Sequence, residues 1–170
     1  MKIMHADLRN RNYVAWINFL KESEDYSKEQ IEDYQLGELK RIVKYAYENT
    51  RGYRALYESF GITPEAIQTT EDIRKLPFVE KEMIRENLED YSIPVPGRSY
   101  VSTGGSSTGR PFGFYRTDSA FSKELASKAH QYYRVGWKEG DRQIVFRVMQ
   151  IPTPDHMAFI QDFNELRCSS

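Results

Sequence analysis

From Ser102 to Gly109 every residue is Ser, Thr or Gly, which puts three glycines and five hydroxyls into eight consecutive positions. Such a loop can turn its backbone N–H groups inward as an anion nest, with the hydroxyls adding donors to phosphate oxygens or a place near Mg²⁺. Arg110 adds a permanent positive charge just beyond, and Pro111 stiffens the exit. The same composition also makes slack linkers. Position separates the two readings. A linker divides domains, whereas this loop falls inside what reads as one compact hairpin, where a slack insertion would need another reason. It is not a Walker A loop, which needs Lys followed by Ser or Thr and a helix directly after it; here Arg110 is followed by Pro111 and then by strand-like alternation.

Other chemistry-bearing residues are scattered. His5, His130 and His156 lack metal-ligand spacing and read as surface or hydrogen-bonded structural residues, so no metal site is expected. "ESED" and "ENLED" read as solvated helix faces rather than paired catalytic carboxylates. Tyr132, Tyr133 and Trp137 have the spacing of a packed helical face, with an acyl-lining role as the alternative. Arg147, on a strand candidate, reads equally as cleft-facing or solvent-facing. No catalytic residue is assigned.

These residues need a frame. Leu36, Leu39, Ile42, Val43 and Ala46 form one helical stripe, and Ser27 with Gln30 forms a capping box that starts that helix. Tyr53, Leu56, Tyr57 and Phe60 continue the pattern to a stop at Gly61. Thr63-Pro64, Thr69 or Thr70, and "EKEMIRENLEDY" open further short helices, the last with Met83, Ile84 and Leu88 inward. After "SIPVPGR" strands begin, with Val101 before the loop and Phe112, Phe114 and Arg116 alternating after it. Asp118 or Ser119 caps a long helix whose face is Phe121, Leu125, Ala129 and Tyr132, and "QIVFRVM" reads as a further strand. The order implies an α/β (α+β) plan. The expected divisions are a helical region over 1–95, a strand–loop–strand–helix–strand region over 96–149 and a divergent tail over 150–170, together one incomplete domain.

A formal charge of −1, from 24 basic and 25 acidic residues, supplies no field for nucleic acid or an anionic membrane. No apolar stretch approaches the roughly 20 residues of a membrane helix, and no secretion signal is read at the start. Cys168 is the single cysteine, so no internal disulfide can form, which suits a cytoplasmic setting.

The loop text "STGGSSTGRP" resembles the phosphate loop of the adenylate-forming superfamily. "LGELKRIVKYAYENTRGYRALYESFGI", "DIRKLPFVEKEMIREN", "PFGFYRT" and "VGWKEGDRQIVFR" resemble, in order, the N-terminal half of its phenylacetate-CoA ligase-like branch, which includes capsular polysaccharide biosynthesis proteins of the CapK type. The resemblance covers roughly residues 30 to 148. It implies that Thr103, Gly104, Gly105, Ser106, Ser107, Thr108, Gly109 and Arg110 hold ATP phosphates. With Mg²⁺ present, a small-molecule carboxylate would become an acyl adenylate and then pass to an acceptor such as coenzyme A.

Two departures stand out. The loop is one residue longer than the family pattern, leaving Gly105 or Ser106 at the central glycine position, and Arg51-Gly52 stands where relatives carry proline and an aromatic residue. The resemblance also implies a protein well over twice this length. The expectation is therefore a truncated N-terminal part, inactive alone, with a separately encoded C-terminal part as a possible partner. A non-catalytic interaction module or a pseudogene remnant is the alternative.

Overall fold

The computed structural model describes residues 10–103, 109–147, 151, 156–161 and 164–169. In chain order the elements are α1 (Arg11–Glu22), α2 (Lys28–Asn49), α3 (Arg51–Ser59), α4 (Lys81–Glu86), β1 (Ser99–Ser102), β2 (Gly113–Arg116), α5 (Asp118–Tyr133), β3 (Gln143–Arg147), β4 (Met157–Ile160) and β5 (Glu165–Ser169), with short 3₁₀ turns at Ser23–Asp25, Pro64–Ala66 and Thr70–Lys75. They fall into two units, one of residues 25–118 and one joining 1–24 to 119–170.

In the first unit, α2 starts at the expected capping box: Gln30 N–H donates to the Ser27 hydroxyl and Ser27 N–H to the Gln30 side chain. Val43 is buried with Tyr57, Ile62 and Ile67, and Leu36, Leu39, Tyr47, Tyr53, Ala66 and Leu76 pack around them. Ile42, expected in the stripe, is exposed. It stands one residue, ~100° of helix rotation, from Val43, and the narrow contact with α3 reaches only the 36–39–43 line. α4 is shorter than its apolar pattern predicts. The Asn87 amide side chain donates to Met83 O and its backbone N–H to Ile84 O, which closes the helix locally. β1 and β2 form an antiparallel hairpin with Ser99 opposite Arg116 and Ser102 opposite Gly113.

In the second unit, Tyr13 and Ile17 of α1 are buried against Ala126 and Ala129 of α5. Asn10 caps α1 and also donates to the buried Ser122 hydroxyl at 2.8 Å. The inward face of α5 is therefore Ser122–Ala126–Ala129, rotated from the expected Phe121–Leu125–Ala129–Tyr132 line. Small residues let α1 approach closely while Tyr13 and Ile17 supply the bulk, a trade that weighting by residue size alone does not anticipate.

Tyr133 stacks on Trp137 at 5.7 Å, and Tyr132 meets the same indole edge-on at 5.8 Å. Their role is packing. The strands order as β3-β5-β4, with β3 parallel and β4 antiparallel to β5. β4 and β5 lie in the stretch read as a divergent tail. Ile144, Leu166 and Phe159 form one cross-strand row and Phe146, Cys168 and Met157 the next, all on one face. Ile144 and Phe146 are 63% and 73% exposed.

Candidate functional site

The serine/threonine/glycine loop leaves β1 at Thr103 and returns to β2 at Phe112. The two ends are tied together. Thr103 N–H donates to Phe112 O at 2.8 Å, and the Thr103 hydroxyl, 3.1 Å from both groups, accepts from Phe112 N–H and donates to Phe112 O. This pair extends the hairpin register by one step and closes the loop at its base.

Behind the base, the Tyr100 ring lies where a side chain at Gly113 would have to go. An aromatic ring covering a glycine of the neighbouring strand protects ladder bonds that would otherwise be open to water.

Gly104, Gly105, Ser106, Ser107 and Thr108 lie outside the described residues. Of the other members of the predicted set, Thr103 directs its hydroxyl into the base of the loop. Gly109 has φ +70°, and among the described residues, its chain neighbours aside, no atom lies within 4 Å of the position its Cβ would take. A left-handed backbone beside open space is a turn at which an anion can approach the main chain closely. Arg110 follows it and is exposed. A tied base, an open left-handed glycine and an exposed guanidinium together fit a phosphate group.

Several charged residues around this base have no local signature in the sequence. Arg85 of α4 donates from Nη2 to Pro111 O at 3.3 Å and pairs through Nη1 with Glu82. The Arg85 bond, followed by the charge of Arg110, holds the Glu82 carboxyl below the usual range. On the far end of the hairpin the Tyr115 hydroxyl donates to Glu89 at 2.5 Å, while Arg98 pairs with Glu89 at 2.9 Å and lies 3.8 Å from the centre of the Tyr115 ring. These contacts lower the Glu89 pKa, the tyrosine bond most of all, and the same bond raises that of Tyr115. Asp90 pairs with Arg51 at 2.5 Å. Two carboxylates of "ENLED" thus form surface ion pairs on a face that stays solvated.

The remaining candidates do not join the loop. His5 lies outside the described residues, His130 Nε2 is 3.1 Å from Glu24 Oε1, and His156 occupies a left-handed turn before β4. Arg147 stands opposite Ser169 in the β3–β5 ladder. Among the described residues no group of three or more His, Cys, Asp or Glu side chains is placed to hold a metal ion, and no helix is long and apolar enough to cross a membrane.

No protein-family model matches the chain. It is similar to the phenylacetate-coenzyme A ligase of Aromatoleum evansii, 32% identical over 94 residues, covering 54% of this chain and 21% of the relative. The phenylacetate-coenzyme A ligase of Thermus thermophilus is 27% identical over 112 residues, covering 64% and 25%.

Among solved structures, a 2-hydroxyisobutyryl-CoA ligase in complex with 2-HIB-AMP and CoA in the thioesterification state superposes with a TM-score of 0.62 at 26% identity, over 72% of this chain and 28% of that one. The same ligase in the postadenylation state with 2-HIB-AMP gives a TM-score of 0.59 at 26% identity, over 69% and 26%. The chain therefore spans about a quarter of the length of the proteins it matches, and its mixed helix-and-sheet fold is that of the N-terminal region of an adenylate-forming CoA ligase.

Proposed function

We propose that this chain is the phosphate-holding N-terminal part of an ATP-dependent carboxylate–CoA ligase, acting in the cytoplasm within the phenylacetate-CoA ligase-like branch and serving surface polysaccharide synthesis as CapK-type proteins do. The observation that carries the reading is the tied hairpin loop with Gly109 left-handed and Arg110 exposed beside it, in a chain superposable on a ligase that binds an acyl adenylate and CoA.

In this reading the loop amides and Arg110 hold the β- and γ-phosphates of ATP as negative charge shifts toward departing pyrophosphate. Thr103 serves the loop's geometry instead of donating to the nucleotide. Mg²⁺ would travel on the phosphates and neutralise part of their charge. In this reading the carboxylate, the adenosine and CoA are also fixed by parts of the ligase outside the matched quarter, because a near-attack geometry requires both reactants held. The isolated chain accordingly binds the phosphates without completing adenylation.

Titrating ¹⁵N-labelled protein with Mg·ATP, and separately with Mg·pyrophosphate, tests this. Saturable shifts at Gly109, Arg110 and Phe112 are expected, with no acyl adenylate formed from added phenylacetate. Spectra unchanged at millimolar ligand sink the proposal.

A second reading, a non-catalytic interaction module, is supported by the exposed Ile144 and Phe146 on the open sheet face. A separately encoded ligase remainder would be its natural partner.

A further inference from the structure

Arg85 reaches the loop from α4, and what it holds there is one edge of a single peptide group. Its Nη2 donates to Pro111 O at 3.3 Å. The N–H of that same peptide unit belongs to Phe112 and donates to the Thr103 hydroxyl at 3.1 Å. The Pro111–Phe112 peptide is thus gripped on its oxygen edge by one side chain and on its hydrogen edge by another.

Because a peptide is planar, two grips on opposite edges fix its orientation. Pro111 then passes that orientation back along the chain: its φ is fixed by the ring, and it restricts the backbone of the preceding residue, which is Arg110. The Arg85 side chain is held from two sides. Nη1 is paired with Glu82, and among the described residues the buried Nε has no hydrogen-bond partner.

We propose that Arg85 is a positioning residue for the phosphate loop: together with Thr103 it clamps the Pro111–Phe112 peptide and so sets where Arg110 and the end of the loop stand. The proposal rests on the reading that the loop takes phosphate, and it assigns to α4 a part in a site whose other members all lie on the hairpin.

Amide hydrogen exchange read residue by residue tests it in the free protein, with Arg85→Ala and Arg85→Lys compared to wild type. Lysine keeps the charge for Glu82 but cannot fork to Pro111 as well. Both variants should raise exchange at Thr103 and Phe112 roughly tenfold, the scale of one lost charge-assisted bond, while the α2 amides stay at wild-type rates, and both should weaken Mg·pyrophosphate about as much.

Wild-type exchange at those two amides in the lysine variant overturns the proposal. So does uniform acceleration across residues 25–118, the mark of a merely structural role. If wild type binds no pyrophosphate while the exchange response appears, the phosphate reading fails and Arg85 is left as the clamp of a loop with another use. If wild type and both variants bind equally well, this inference fails alone.

Discussion

Gly52 shows how a single position is decided from a distance. From the sequence it reads only as a break between two helical patterns. In the structure its N–H donates to Asp90 O at 2.8 Å, and a Cβ there would sit 2.8 Å from three carbons of the Tyr91 ring. Tyr91 in turn meets Tyr53 edge-on at 5.1 Å. The glycine is therefore the seat of an aromatic ring and not a loose hinge. Gly52→Val should lower stability in urea denaturation by about 1–3 kcal/mol, the usual scale of overpacking. Combined with Tyr91→Ala, the penalty should be smaller than the sum of the two single changes, since the residues collide directly. Additive effects would mean the ring is held elsewhere. Thr103 gives the complementary case. Its type marked it as a member of the loop, but only the fold reveals that its hydroxyl faces the hairpin base.

At the scale of elements, the hairpin that carries the loop is braced by groups from the turn after α4. Glu89 accepts from Tyr115 and pairs with Arg98, and its pKa lies below its ordinary value of 4.5. A carboxyl depressed in the folded state stabilises above that ordinary value and loses its contribution as pH falls through the lower, folded one. The stability difference between wild type and Glu89→Gln should thus be constant near neutrality and shrink as pH drops below about 4.5. A difference that persists into stronger acid would assign it to the neutral hydrogen bond with Tyr115 instead of to the charge.

Caps, proline starts and glycine stops made the helices readable, because those signals sit within a few residues of the boundary they set. The hairpin was legible from its alternation and its loop. The 85–111 and 89–115 contacts were not, since charged residues on short helices carry no local sign of which partner they will meet. β4 and β5 escaped for a related reason: β5 pairs with β3, more than ten residues away, and β4 pairs with β5, in a stretch that no longer followed a family pattern.

For the whole molecule, the division into two units differs from a simple head-to-tail order, since α1 belongs with the last fifty residues. The sheet of that unit presents two apolar cross-strand rows, and parallel pairing such as that of β3 with β5 is found mostly in sheets covered on both faces. The double change Ile144→Thr with Phe146→Thr, which leaves a polar β-branched residue at both strand positions, should reduce dye binding by the native protein and any self-association, with stability moved by no more than about 1 kcal/mol. Unaltered dye binding would place the sticky surface elsewhere.

The same sheet holds the chain's lone thiol, Cys168, buried on its middle strand. Thiol-reactive reagents reach it only when the side chains that cover it move aside or the strand opens, so the rate of alkylation reports on opening within this unit. Compared with residue-resolved amide exchange across 25–118, it would tell whether the two units melt as one cooperative body or come apart in sequence.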